Sequence, residues 1–226
     1  MKNIIALINK KIYNTRAYIW LSFLVLSLLF VFYPQIDIAV SSLFYESSEW
    51  YLKRTPIESF FYYSVRPIII FTAVVFIAVF IFNLIKKREI FGINKRVFFY
   101  VFLVLSLAPG LIVNAGLKIN WDRARPIEIK TFHGEKEFTP AFIISDQNGQ
   151  SFSSGHVAAA FSLYGLALLA KRRRQIWINL ALAYGFGMCV ARIAAGGHFL
   201  SDTVTSFFLV YITTNMLYYF IIENKR

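Results

Sequence analysis

From Arg96 to Pro126 the chain reads RVFFYVFLVLSLAPGLIVNAGLKINWDRARP, and this stretch decides the fold. Val97 to Leu117 carries no charged residue and approaches the roughly 20 residues a helix needs to cross a bilayer core. Lys95 and Arg96 stand before the run, and Lys118, Arg123 and Arg125 follow it. A run bounded in this way reads as a membrane span with a polar cluster at its exit. Pro109-Gly110 inside it should kink or loosen the helix.

The rest of the chain agrees. With 58% hydrophobic and 18% aromatic residues among 226 and a mean hydropathy of +0.56, it is too apolar for an ordinary soluble domain. Six apolar helices are expected, approximately Ala17 to Tyr33, Pro67 to Ile85, Val97 to Leu117, Ser154 to Leu169, Ile176 to Ala191 and Thr203 to Ile222. The fold class is therefore all-α, an integral membrane bundle of six transmembrane helices forming a single domain over residues 1–226. Pro67 suits a helix start, where its missing N–H costs nothing. Residues 3–13 place Ile4, Ile5, Leu7, Ile8 and Ile12 near one helical face and predict a short interfacial helix. The first long apolar run is followed by Tyr33-Pro34-Gln35, not by a small-residue cleavage site, so it reads as a retained span. The single Cys189 allows no internal disulfide.

Charge gives the orientation. Lys2, Lys10, Lys11, Arg16, Lys86, Lys87, Arg88, Lys95, Arg96, the run Lys171 to Arg174, Lys225 and Arg226 fall on one side, against only Glu89 and Glu223. The positive-inside rule makes that side cytoplasmic, with both termini on it. The net charge of +12 thus reflects membrane topology, and no basic-aromatic interleaving suggests nucleic acid.

On the opposite side three polar clusters meet: Lys118 to Pro126, Ser153-Ser154-Gly155-His156, and Arg192 to Asp202. A phosphate monoester is nearly dianionic at neutral pH, so its site needs fixed cations and backbone donors. Arg125 can grip two phosphate oxygens, Lys118 supplies a point charge, and Arg123 is a candidate contact to a second anionic group. Basic residues at a span end are also common interfacial anchors. Gly155 at a helix start lets backbone N–H groups approach an anion, while Ser154 either caps the helix or gives its hydroxyl to the ligand. His198 and Asp202 are four apart and share a helix face, so the carboxylate can take the imidazole Nδ1 proton and leave Nε2 free as a nucleophile. The plainer reading is a helix-capping Asp beside an incidental His. Arg192 joins the cage across Gly196-Gly197. His133, in the outer segment 127–150, reads as a solvated loop residue, and no metal-ligand spacing surrounds it.

Lys118 and Arg125-Pro126 with six residues between them, Ser154-Gly155-His156, and Arg192, His198 and Asp202 with five and then three residues between them, resemble the type-2 phosphatidic acid phosphatase superfamily. The resemblance implies a metal-independent, cofactor-free membrane phosphatase. In it His198 is the nucleophile, Asp202 orients it, and His156 is the proton donor. Lys118, Arg125, Ser154, Gly155 and Arg192 hold the phosphate. Ser153 stands where the family usually has Pro, and Ala191 where it usually has Ser. Trp121 to Pro126, Phe138-Thr-Pro-Ala-Phe142 and Phe152 look like the bacterial lipid A phosphatase branch, particularly its 4′-phosphatases. That implies loss of a phosphate from lipid A at the periplasmic face of the bacterial inner membrane, with a membrane lipid as substrate and no obligate protein partner. Phosphatidylglycerol phosphate, undecaprenyl diphosphate and phosphotransfer to another lipid are the alternatives within the superfamily. A small transporter is the non-enzyme alternative, which would place ionisable residues near mid-span. The role of residues 35–66 and 127–150 stays open at the level of sequence.

Overall fold

In the computed structural model of the chain, residues 9–224 are described. Helix α1 (Ala17–Phe32) is followed by α2 (Gln35–Ser42) after a turn of 89°. The turn falls at Tyr33-Pro34, because a residue before proline is pushed out of the α region; Tyr33 adopts φ −127° and ψ 62°. Helix α3 (Pro56–Lys86) starts three turns earlier than the sequence reading placed it, and Pro67 lies inside it. Thr55 caps this helix by accepting from Glu58 N at 3.3 Å, with Pro56 in the first position. Hydropathy missed these turns because Glu58 and Arg66 interrupt the apolar pattern.

Helix α4 (Lys95–Ser106) is capped by Asn94 and widens into π-helical turns over Leu107–Lys118, then closes with Ile119–Trp121. Pro109 has no N–H to continue the regular ladder, and the Asn114 amide donates to the Pro109 carbonyl at 2.6 Å. The expected loosening at Pro109-Gly110 is there. Helices α5 (Gly155–Leu168), α6 (Arg174–Ala194) and α7 (Leu200–Leu217, with π-helical turns Tyr218–Glu223) complete the bundle.

Each of the six apolar helices read from the sequence is present. Four runs are long and apolar enough to cross a membrane: Pro56–Lys86, Lys95–Glu128, Arg174–Ala194 and Leu200–Glu223; the bent α1–α2 pair makes a fifth. Helix α5 is apolar but has only 14 residues. Two small antiparallel hairpins depart from a purely helical chain: β1 (Lys11–Ile12) with β2 (Thr15–Arg16), and β3 (Tyr45–Glu46) with β4 (Glu49–Trp50). The first replaces the end of the expected interfacial helix, because Tyr13 and Asn14 both take left-handed φ values of 48° and 60°. The remainder of that expected helix, up to Ile8, lies outside the described residues.

Helix α5 is the axis of the bundle, packed most extensively against α6 and α7. Its Val157, Ala158, Ala160 and Phe161 form a core with Met188, Val210, Val65, Ala108 and Val113. Small residues permit this closeness: a Cβ at Gly185 would meet the Phe161 ring at 2.4 Å. Leu21, Leu24, Leu28, Ile70, Phe71, Val74 and Ile81 point outward, as suits a surface solvated by hydrocarbon. At the opposite end from the Lys171–Arg174 loop, α2, the β3–β4 hairpin and the segment 122–153 form a cap. Its core is Trp50, Ala124, Ile129, Phe132 and Phe199. Segments 35–66 and 127–150 thus roof the end of the bundle where the polar clusters lie.

Candidate active site

His198 does not sit on a helix; it follows the Gly196-Gly197 turn and precedes α7, whose first residue is Leu200. The turn is tight on both sides. Gly196 has φ +68° and lies against the Trp50 ring, and a Cβ at Gly197 would meet the Arg192 guanidinium at 2.1 Å. His198 is 1% exposed, and its Nδ1 lies 2.8 Å from the Ser151 carbonyl oxygen. A carbonyl can only accept, so Nδ1 carries the proton and Nε2 keeps its lone pair. Asp202 Oδ2 lies 3.6 Å from the same Nδ1. The direct acceptor is therefore Ser151, which corrects the sequence reading; Asp202 stands behind as the nearest charge. Burial pushes the His198 imidazole down to about 4; Asp202 opposes this, and Arg192 and Arg125 add to it. The ring is neutral at pH 7.

Asp202 has several other partners. Its Oδ2 accepts from Phe199 N at 2.8 Å and from the Ser151 hydroxyl, and its Oδ1 accepts from Arg123 at 2.6 Å. It caps α7 as the plainer sequence reading had it, and it faces His198 as well. Arg123 corrects a second expectation. Its side chain is 0% exposed and bridges Asp202 to Asp37 at 2.8 Å, while also donating to Ser201 Oγ and to the Thr139 carbonyl. It cannot reach a headgroup. The guanidinium is sandwiched near the Phe199 ring, 4.4 Å from its centroid.

The other face of the site is built from different elements. Lys118 ends the π-helical turns of the third span, Arg125 opens the loop after it, His156 lies in the first turn of α5, and Arg192 in the last turn of α6. The charges of Lys118, Arg125 and Arg192 all act on the His156 ring, which is also within electrostatic reach of His198. Gly155 lets the Asn114 side chain approach closely, since a Cβ would meet Asn114 Oδ1 at 2.5 Å. Its N–H lies at the start of α5, where the helix dipole favours an anion. Ser154 makes no side-chain cap. Its hydroxyl, the Ser153 hydroxyl, Arg125 Nε and Arg192 Nε are all buried with no hydrogen-bond partner. Buried donors without partners are costly, and four in one place suit an anion with several acceptor oxygens.

Three further residues were not singled out from the sequence. Tyr62 of α3 stacks on His156, with centroids 4.5 Å apart and planes at 21°, and Arg192 lies 4.8 Å above the same Tyr62 ring. Glu58, one turn earlier, pairs with Arg192 at 3.2 Å. Asp37 of α2 is fully buried against Arg123. The Thr55-Pro56-Ile57-Glu58 capping signature marked the first two; a lone carboxylate among the apolar residues of 35–44 marked the third. His133 is hydrogen-bonded to the Tyr45 hydroxyl at 2.7 Å, away from these groups. Among the described residues no three His, Cys, Asp or Glu side chains gather in a metal-ligating group.

A family model described as the PAP2 superfamily matches residues 99–226. Over 203 residues the chain is 31% identical to a protein of Francisella tularensis subsp. novicida (strain U112) named lipid A 4′-phosphatase, covering 87% of this chain and 91% of that one. A Rhizobium leguminosarum protein of the same name is 34% identical over 103 residues, or 44% of each chain. No solved structure matches.

Proposed function

The chain belongs to the PAP2 superfamily, and from that premise we propose that it is a membrane phosphoric monoester hydrolase that removes the 4′-phosphate of lipid A. The observation that carries the reading is the gathering of partnerless buried donors at Arg125, Arg192, Ser153 and Ser154 around two histidines. The name shared by the relatives supplies the substrate.

In the proposed mechanism Lys118, Arg125, Arg192, the Ser154 hydroxyl and the Gly155 N–H hold the non-bridging phosphate oxygens. His198 Nε2 attacks phosphorus, forming a P–N bond as the P–O bond to the sugar breaks. With the phosphate dianion bound, His156 takes part as its imidazolium and gives a proton to the departing oxygen, becoming neutral; its ring is held by Tyr62. A water molecule then gives its proton to His156 and attacks phosphorus, releasing inorganic phosphate and returning the electron pair to Nε2. The phosphohistidine ring is cationic, with its Nδ1 proton held by the Ser151 carbonyl and the charge of Asp202 behind it. The donors gain strength as negative charge accumulates on the oxygens in the transition state. No step requires a metal or an organic cofactor.

The charge distribution supports a single domain of six spans with both termini in the cytoplasm of a bacterial cell. In that arrangement α5 is the central span, and the site opens on the periplasmic face of the inner membrane. The chain acts on its lipid without an obligate protein partner.

The test is mass spectrometry of lipid A from a Gram-negative host expressing the chain, beside a His198→Ala variant. The expected result is loss of one phosphate from the glucosamine carrying the 4′ position, absent in the variant. Unchanged lipid A, with phosphate released in detergent from phosphatidylglycerol phosphate or undecaprenyl diphosphate, would move the substrate elsewhere in the superfamily.

A further inference from the structure

Building on the reading of His198 as the nucleophile, we propose that Asp37 is a positioning residue for the reaction: it neutralises Arg123, so that Asp202 keeps an uncompensated negative charge for His198. Attack by Nε2 turns a neutral, buried imidazole into a cation, because Nδ1 keeps its proton while Nε2 gains a bond to phosphorus. Stabilising that cation needs a net negative charge close by. Asp202 is the nearest carboxylate, at 3.6 Å, yet its other oxygen lies 2.6 Å from the Arg123 guanidinium. A one-to-one Asp202–Arg123 pair would present His198 with a neutral dipole. The second carboxylate on the same guanidinium changes the balance: Asp37 Oδ2 lies 2.8 Å from the Arg123 nitrogen that Asp202 does not use. Two carboxylates and one guanidinium, all 0% exposed, carry one net negative charge.

The hydrogen bonds around Asp37 favour its ionised form. Its Oδ1 accepts from Ser201 N at 2.8 Å, and its Oδ2 accepts from Arg123 and from the Ser201 hydroxyl. The Ser201 hydroxyl is itself an acceptor from Arg123, so its own proton points to Asp37, and both oxygens of Asp37 face donors. Because Ser201 precedes Asp202 in the first turn of α7, the same contacts also hold that turn in place. Asp37 belongs to the bent helix pair α1–α2, outside the residues 99–226 that the family model matches. The amino-terminal part of the chain therefore contributes to the chemistry through two buried contacts.

The experiment uses the full-length protein in detergent with bis-phosphorylated lipid A, measuring kcat, KM and the rate at which phosphohistidine, trapped by an alkaline quench, forms in a single turnover. Asp37→Asn keeps the shape and removes the charge. It is expected to lower kcat and the rate of phosphohistidine formation by about 10- to 100-fold, with KM within about twofold. The double variant Asp37→Asn with Arg123→Gln restores the single net charge through Asp202 alone, and recovery of about tenfold or more is expected. An Asp37→Asn enzyme with native kcat overturns the proposal, as does a double variant no faster than the single one. If Asp37→Asn does not accumulate in membranes, the double variant decides alone: a kcat within about tenfold of native supports the proposal and a larger loss overturns it. His198→Ala is assayed beside them. Its inactivity with a native Asp37→Asn rate sinks only the role of Asp37, whereas turnover by His198→Ala sinks the nucleophile reading itself.

Discussion

Behind His198, the side chains of Asp202, Arg123, Asp37 and Ser201 satisfy one another, and none of their polar atoms is left without a partner. In front of it, Arg125, Arg192, Ser153 and Ser154 each keep a buried polar atom with none. Both groups lie at the same end of one bundle, and both are largely out of water. The difference separates what must not move from what must wait for a ligand. A closed network fixes His198 and its charge partner Asp202. Open donors cost roughly 1–3 kcal/mol each while unmatched, a cost that an incoming phosphate removes by supplying the missing acceptors. The one acid in the front group, Glu58, holds Arg192 from the side.

This contrast can be broken in order of expected effect. His156→Ala removes the proton donor and is expected to slow dephosphorylation of a lipid substrate by about 10²- to 10⁴-fold. The loss should shrink with p-nitrophenyl phosphate, whose leaving group departs without a proton. Equal losses with both substrates would remove His156 from the proton-transfer role. Next come two substitutions that ought to behave oppositely. Arg192→Gln is expected to lower kcat/KM by about 10²-fold with the smaller loss of thermal stability of the two, since only the part-exposed Glu58 loses its partner. Arg123→Gln leaves two buried carboxylates facing each other and is expected to cost about 3–5 kcal/mol of stability. Melting curves that rank the two variants the other way would dissolve the distinction between an open front and a closed back. The smallest expected effect is none at all. Prolonged EDTA treatment should leave the rate unchanged, whereas loss restored by a divalent ion would put a metal among the front donors.

The sequence showed the bundle well because hydrocarbon imposes long apolar runs, and an apolar helix lies at each of the six stretches, although α3 starts three turns earlier than its composition said. It was weakest where an element serves two purposes. The first turns of α3 carry Glu58, Tyr62 and Arg66, too polar for a hydropathy window, yet they bring the stacking partner to His156. The site residues were legible as three clusters because reactive side chains are rare between apolar spans. What stayed hidden was connectivity over long separations: Asp37 and Arg123 are 86 positions apart, and only folding reveals that Asp37 shares the Arg123 guanidinium with Asp202. Arg123 looked like a contact to a second anionic group because it sits between Lys118 and Arg125. A half-turn of loop sends it inward instead, where Gly149 lies so close to its carbonyl that a Cβ would meet the oxygen at 2.1 Å.

The shortness of α5 has a consequence of its own. Its 14 residues rise about 21 Å, while the hydrocarbon layer is about 30 Å thick. With the Lys171–Arg174 loop at one water interface, the first turn of α5 stops about 9 Å short of the other. On the proposed topology His156, on that turn, lies below the headgroup plane, in a dent in the membrane. A lipid phosphate must sink, or the leaflet must thin, for the two to meet. The same topology makes the protein a depth gauge: its turnover is expected to rise in thinner bilayers, where shorter acyl chains bring the headgroups closer to the level of His156, and assays in vesicles of graded chain length check this.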